Sequence, residues 1–230
     1  MFVLLLVLVF VVVGLGIGTL ETGWAKNQIR ALIVRQANQY LTATLEIGRL
    51  EGSLFRGLAL GDITLSRNGQ ALITIDEVSL DYSLQELYRN GTIIRRIRLV
   101  RPRLVGARQP DGRWNLGALI KRDTSDRGRS GPNRAIEIQA IEIDNGSVLL
   151  RDPLDFGAAH LPTAFTMLDA SMSFAYRPVE WTLTLGSVSW IGREPTLDMT
   201  RLTGAFGQTS DGWFFNHLVV QTPRSALALD

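Results

Sequence analysis

The sequence predicts a mainly β protein, in which an N-terminal transmembrane helix and a short amphipathic helix precede an antiparallel-rich β-sheet. Residues 1–20 carry no charge, and twenty helical residues span about 30 Å, the thickness of a bilayer's hydrocarbon core. From Thr42 onward, apolar and polar residues alternate in short runs, which is the period of half-buried strands. Of the 230 residues, 46% are apolar, which is typical of a globular chain and excludes general disorder.

Residues 1–22 are predicted to be an uncleaved membrane anchor. A cleaved signal peptide is one alternative, but such a peptide has a basic start and a shorter apolar core, and Met1-Phe2-Val3 contains no basic residue. A start further upstream is another alternative. The basic residues that follow the anchor, Lys26, Arg30 and Arg35, by themselves favour a cytoplasmic position for the rest of the chain.

Residues 23–41 are predicted to form the amphipathic helix. Ile29, Leu32, Ile33, Ala37 and Tyr40 recur at helical spacing. One interpretation is that this helix packs on the core of the following domain, and another is that it seals the first end of a β structure next to the membrane. We expect a combination of the two.

Residues 42–120 are predicted to form a first β segment. The alternation resets at Gly61-Asp62 and at Asp76-Glu77, as expected for bulges or bends. Asn68-Gly69 predicts a hairpin, and a capping box predicts a short helix over residues 83–91.

Residues 121–134 contain no apolar residue and are predicted to be a flexible charged loop. Residues 135–230 are predicted to form the second β segment, with a turn at Asp144-Asn145-Gly146 and a hairpin at Asp211-Gly212. Alternation continues to the last residues, so we expect this segment to continue in a longer parent chain.

Composition excludes several classes of function. Lysine and arginine total 24 against 22 acidic residues, so the net charge predicts no nucleic-acid partner. The chain has no cysteine, which excludes disulfides and thiol catalysis, and His160 and His217 are isolated in the sequence. No phosphate-binding loop or nucleophile elbow is present. We therefore expect no enzymatic activity, no cofactor and no metal.

Eight arginines fall between Arg89 and Arg113. One interpretation is a solvated outer face, because Arg96 and Arg98 alternate with Ile97 and Leu99. The other is contact with anionic headgroups or an acidic partner, since guanidinium pairs bidentately with phosphate. The candidate contact residues are Arg95, Arg96, Arg98, Arg101 and Arg103.

Several segments, taken in order, resemble the N-terminal region of the AsmA-like family, and in particular its TamB branch, the inner-membrane component of the translocation and assembly module. The most specific is Asp111-Gly112-Arg113-Trp114-Asn115-Leu116. A Gly-Ser-Leu-x-x-Gly-Leu segment at residues 52–58 is common in the TamB branch. The stretches at residues 97–104 and 144–148 complete the order. Residues 1–230 differ from the family's pattern at both ends, since no basic residue precedes the apolar run and no TamB-type domain is expected within them. The choice between TamB-like and other AsmA-like members therefore stays open.

The resemblance implies a single-pass protein of the bacterial inner membrane with its body in the periplasm, and it outweighs the charges beside the anchor. It implies an elongated, twisted β-sheet that forms an apolar groove of the repeating β-groove type, and it implies phospholipid transport between the inner and outer membranes. The expected partners are phospholipids and the inner membrane. The alternative function is a scaffold for outer-membrane protein insertion, which works with an outer-membrane barrel partner and pairs with clients at strand edges.

The alternation alone is compatible with an ordinary β-sandwich or with an apolar groove that holds acyl chains, because in both cases each strand must bury one apolar face. The resemblance favours the groove. The predicted lining residues are Leu58, Leu60, Ile63, Leu65, Ile73, Ile75, Val78 and Leu80.

Overall fold

A computed structural model describes residues 23–53, 57–82, 92–119, 121, 135–156 and 159–229. The predicted anchor at residues 1–22, the predicted helix at 83–91 and nearly all of the charged loop lie outside these residues. Among the helices that the structure describes, none is long and apolar enough to cross a membrane.

The protein is mainly β, as predicted: the residues that the structure describes form one eleven-stranded sheet, a separate two-stranded sheet, one α-helix and one 3-10 helix. The helices are α1 (Gly23–Tyr40) and the 3-10 helix Asn115–Ala118. The strands are β1 (Thr44–Ser53), β2 (Gly57–Arg67), β3 (Gln70–Tyr82), β4 (Thr92–Val100), β5 (Arg103–Gly106), β6 (Ile136–Leu150), β7 (Asp155–Phe156), β8 (Ala159–His160), β9 (Ala164–Arg177), β10 (Glu180–Arg193), β11 (Met199–Thr209), β12 (Gly212–Gln221) and β13 (Ala226–Leu229).

The large sheet runs in the order β1-β2-β3-β4-β6-β9-β10-β11-β12-β13. β5 follows β4 after Pro102 and pairs with β3 and β6. Neighbouring strands are antiparallel except where β4 and β5 pair with β6 in parallel. One sheet therefore extends through both predicted β segments, and their division at residues 121–134 stays a prediction.

Two predicted hairpins are confirmed, and one predicted turn is wrong. Asn68 and Gly69, with φ of 52° and 76°, join β2 to β3 in the left-handed backbone that short hairpins need. A turn before Gly212 joins β11 to β12. By contrast, β6 continues through residues 144–146. Asn145 is left-handed, with φ of 51°, but it bends the strand instead of reversing it.

This bend is one of several that lie side by side in neighbouring strands. At each of them the alternation of apolar and polar residues shifts by one position. Buried residues there are three positions apart instead of two: Ile47 and Leu50 in β1, Leu60 and Ile63 in β2, Ile75 and Val78 in β3. The strand register places residues 48, 62, 76, 101 and 145 side by side. We call these five positions the crease.

The crease keeps apolar side chains on one face along the whole length of each strand. Asp62 and Arg101 are left-handed, with φ of 54° and 48°, and a residue of this kind shifts the phase of the side chains that follow it. The resets predicted at residues 61–62 and 76–77 fall on this line. On the opposite face, Arg101 Nε lies 2.7 Å from Asp76 Oδ2 across the crease.

Helix α1 packs on the core and also covers the first edge of the sheet. Ile33 and Ala37 are each 1% exposed, whereas Leu32 and Tyr40, predicted on the same apolar face, are exposed. The Asn38 amide accepts a hydrogen bond from Leu45 N (2.7 Å) and donates one to Leu45 O (3.2 Å). Backbone groups of the outermost strand, β1, are thereby satisfied.

Lys121 holds the C-terminal end of α1. Its ammonium donates to Gln39 O (2.9 Å), and its backbone N–H donates to Tyr40 O (2.9 Å). A cation at this position satisfies free carbonyls and complements the helix dipole. The neighbouring Leu119 is buried in the same core as Ile33, so α1 and this segment close one end of the apolar core.

Candidate functional site

The strand register joins apolar side chains into rows that cross the sheet. Directly paired residues lie on the same face, so each row can be followed from strand to strand. One row crosses from β1 to β13 through Leu50, Leu60, Val78, Leu99, Ile143, Ala170, Val188, Leu202, Val220 and Leu227. A second row crosses from β3 to β12 through Tyr82, Ile94, Ile138, Phe174, Leu183, Phe206 and Phe215. We call the face that bears these rows the apolar face.

Burial along the apolar face falls from the first strands to the last. Ile94 and Ile138 are completely buried, whereas Phe215 in the same row is 63% exposed. The residues of β1 to β4 and the first part of β6 belong to the core that α1 and Leu119 help to close. We call this the closed half, and the part on β9 to β12 the open half.

Five aromatic side chains form a contact network on the open half. Trp181 lies with its ring centroid 6.4 Å from that of Phe174, 5.9 Å from Phe206 and 5.5 Å from Trp213. Phe206 in turn stacks on Phe215 at 6.4 Å. These five residues are named the aromatic cluster. Its residues were not predicted as a site, although aromatic residues at alternating positions in successive strands were the available signal.

The eight predicted lining residues lie together on the apolar face, but in its closed half. They form four directly paired couples on β2 and β3: Leu58 with Leu80, Leu60 with Val78, Ile63 with Ile75, and Leu65 with Ile73. Each is at most 9% exposed. In this structure they are core residues, and a role in lining a groove stays a prediction.

The predicted arginine contacts lie on the opposite, polar face. Arg96 Nε lies 3.3 Å from Glu142 Oε1, and Arg98 Nε lies 2.5 Å from Asp144 Oδ2. These two ion pairs link β4 to its parallel neighbour β6. The hydrogen bond that Arg98 donates to Asp144, together with the negative charge of that carboxylate, raises the pKa of Arg98. Because the side chains of both arginines are more than half exposed, each pair contributes little to stability.

A shallow depression of about 320 Å³ lies beside these arginines on the polar face. Arg96, Arg98 and Asp81 line it, together with glycines that leave room on strands β1 and β2. An anionic headgroup bound here would compete with Glu142 and Asp144 for the two guanidinium groups. Arg95 and Arg103 are also exposed. Headgroup contact by any of the five arginines stays a prediction.

The Asp-Gly-Arg-Trp-Asn-Leu segment forms a turn that fastens β5 to the 3-10 helix. Asn115 is 7% exposed, and its side-chain oxygen accepts hydrogen bonds from Ala107 N (2.9 Å) and Leu116 N (2.8 Å). Its amide nitrogen donates to Val105 O (3.1 Å). Beside it, the Arg108 guanidinium lies 5.4 Å from the centroid of the Trp114 ring, within reach of a cation–π contact. The segment is therefore structural in this region.

Replacing Asn115 with alanine is expected to lower the free energy of unfolding by about 1–3 kcal/mol, because buried backbone groups lose their partners. Urea unfolding of the full chain measures this loss. Asn216→Ala, at an exposed position on β12, is the control and is expected to change stability by less than about 0.5 kcal/mol. Equal effects of the two substitutions would contradict this role.

A family model described as the AsmA family matches residues 1–188. The chain belongs to the AsmA family. The match covers most of the chain and extends from the predicted anchor to the middle of β10. No curated protein and no solved structure matches the chain.

In this AsmA-family chain, Tyr82 lies beside the most deeply buried residues of the apolar face. It is 2% exposed, and it pairs directly with Ile94 on β4. Burial disfavours the charged phenolate and raises the pKa of Tyr82 to about 12.

Stability is therefore expected to fall between about pH 10 and about pH 12. In that range the unfolded chain loses the Tyr82 proton while the folded chain retains it, so unfolding becomes more favourable as pH rises. Below about pH 10 both states are protonated, and this contribution to the pH dependence vanishes. Unfolding in urea across this range should show a shallower decline for Tyr82→Phe than for the native protein. An unchanged decline would show that Tyr82 does not carry the effect.

Proposed function

We propose that this chain is a periplasmic phospholipid-transport protein, anchored in the bacterial inner membrane, which carries acyl chains on the apolar face of its sheet toward the outer membrane. Members of the AsmA family are generally associated with the cell envelope. The observation that supports transport is the unbroken row of apolar side chains from β1 to β13, part of which is uncovered.

The physical basis of the proposal is burial of hydrocarbon. Each methylene transferred from water to an apolar surface contributes about 0.8 kcal/mol, so a continuous apolar track lowers the barrier to moving a lipid through an aqueous compartment. The polar headgroup remains in water during this movement. Movement of a lipid along the sheet makes and breaks no covalent bond, and it therefore requires no catalytic residue, cofactor or metal.

We further propose that the chain belongs to the TamB branch, on the basis of the segment at residues 52–58. Gly52 and Gly57 have φ of 91° and 155°. A Cβ atom at Gly52 would lie 2.5 Å from Gly57 O, and one at Gly57 would lie 2.6 Å from Leu80 O. Both positions therefore require glycine, which gives the Gly-Ser-Leu-x-x-Gly-Leu pattern a structural reason.

The proposed function is tested by phospholipid transfer between vesicles. The full chain is reconstituted in donor vesicles that contain a fluorescent phospholipid, and its appearance in acceptor vesicles is followed. We expect faster transfer than from donor vesicles without protein. No acceleration by the native chain would contradict the transport proposal, and would favour the alternative role as a scaffold that works with an outer-membrane barrel partner.

A matched pair of variants tests whether the apolar face carries the lipid. Leu183 lies on the apolar face between Phe174 and Phe206, whereas the adjacent Thr184 lies on the opposite face. Leu183→Asp should reduce transfer severalfold, because it places a carboxylate in the path of the acyl chain. Thr184→Asp should transfer at the native rate. If the Leu183→Asp protein transfers phospholipid as fast as the native protein, the chain still transports lipid, but the lipid does not pass over the open half.

A further inference from the structure

The two halves of the apolar face differ in access although the same rows run through both. In the closed half, Leu80, Ile97 and Ile141 are each at most 7% exposed. The row that these three residues form continues to Leu185 on β10, which is also buried at 8% exposure. In the row through Ile138, by contrast, exposure rises to 63% at Phe215, and Trp213 on the same strand is 64% exposed. An acyl chain can reach Phe215 and Trp213 without displacing any part of the chain that the structure describes.

The open half also has the chemistry that a hydrocarbon chain requires. The second row contains no charged residue from Tyr82 to Phe215, and neither does the row through Val188. Trp181, whose ring contacts three other members of the aromatic cluster, donates its indole N–H to Gln208 Oε1 at 3.4 Å. Contact with hydrocarbon at the aromatic cluster therefore leaves this donor with its partner.

The dimensions of the open half match a single acyl chain. Neighbouring strands lie about 4.8 Å apart, so the rows extend about 14 Å from β9 to β12 and about 19 Å when β6 is included. The hydrocarbon core of a bilayer is about 30 Å thick and contains two leaflets, so one acyl chain spans about 15 Å. An extended acyl chain that lies across the strands can therefore contact the whole aromatic cluster.

We propose that the aromatic cluster on β9 to β12 is the acyl-chain binding site of this protein and that the closed half does not contact lipid. This inference rests on the proposed function, phospholipid transport, and assigns acyl-chain binding to the open half of the apolar face. Phe174, Trp181 and Phe206 form the floor of the site, and Trp213 and Phe215 form its accessible side. The predicted lining residues on β2 and β3 then serve as the packed end at which the binding surface stops.

The test places a photoreactive phenylalanine analogue at one position at a time in the full chain. The positions are Phe215 in the aromatic cluster, its neighbour Asn216 on the opposite face, and Leu80 in the closed half. Each protein is reconstituted with vesicles of radiolabelled phosphatidylethanolamine and phosphatidylglycerol and then irradiated. We expect at least fivefold more labelled phospholipid on the Phe215 variant than on either of the others. Phe215 is an exposed ring replaced by a larger ring, so the fold should persist, as circular dichroism will show.

The outcomes separate this inference from the proposed function. Label at Leu80 and none at Phe215 would retain phospholipid binding and overturn the assignment to the aromatic cluster. Equal label at Phe215 and Asn216 would indicate contact with the bilayer surface and would also overturn it. Adducts of Phe215 with protein only, whether with a second copy or another chain, would show that a polypeptide covers the open half. A lack of label at all three positions, combined with no vesicle transfer, would contradict both proposals.

Discussion

Replacing Ile138 with alanine is expected to lower the free energy of unfolding by about 2–5 kcal/mol, which is the range for deletion of a large aliphatic side chain in a packed core. Ile138 is completely buried between Ile94 on β4 and Phe174 on β9. Its removal therefore leaves a cavity at the point where the closed half meets the open half. Urea unfolding of the full chain, followed by circular dichroism, measures the change.

Phe215→Ala is the matched control for this substitution, because Phe215 stands in the same row and is a larger side chain. It is 63% exposed, so its truncation should cost less than about 1 kcal/mol. The loss of stability is expected to be much larger for Ile138→Ala than for Phe215→Ala, because Ile138 lies in the closed half of the apolar face and Phe215 in the open half. Comparable losses at the two positions would show that the open half is covered in solution.

Replacing Gly207 with alanine is expected to have a comparable effect through steric overlap. A Cβ atom at Gly207 would lie 2.1 Å from Trp181 O on β10 and 2.8 Å from the Phe214 ring on β12. Backbone cannot yield as a flexible side chain can, so β10 and β11 must separate locally. We expect a loss of about 1–3 kcal/mol or more, measured by thermal and urea unfolding.

Gly117→Ala is the control for Gly207→Ala. A Cβ atom at Gly117 would have no neighbour within 4 Å. The free energy of unfolding of the Gly117→Ala protein should therefore stay within about 1 kcal/mol of the native value. Because Gly207 lies opposite Thr182, next to Trp181, the Gly207→Ala protein should also show altered tryptophan fluorescence. Native stability and fluorescence in that variant would mean that β10 and β11 are further apart than the structure places them.

The sequence predicted strands and their apolar faces well, because alternation is a local property. All eight predicted lining residues lie on one face and pair with one another. Alternation does not reveal what covers that face, since a filled core and an open surface have the same pattern. Burial by α1 and Leu119 depends on contacts between residues far apart in sequence, and the sequence alone could not decide it.

Asn145-Gly146 shows why one local signal predicts the wrong structure. Asparagine in the left-handed conformation, followed by glycine, suits a hairpin, and it equally suits a bend within a strand. The neighbours decide between the two: β4 and β5 pair in parallel with β6 before and after this point, so the strand must continue. No feature of residues 144–146 themselves indicates that partnership.

The parallel junction of β4 and β6 also has a consequence for how the chain acquires its structure. The pairs within β9 to β13 join strands that are adjacent in the sequence, so their contact order is low. By contrast, Val100 meets Asp144 and Thr92 meets Ile136, each across more than forty residues of intervening chain. Closing so long a loop costs conformational entropy before any stabilising contact between the two strands has formed. The slowest step in folding is therefore expected at this junction, where hydrogen-exchange protection during refolding should appear later in β4 than in β10.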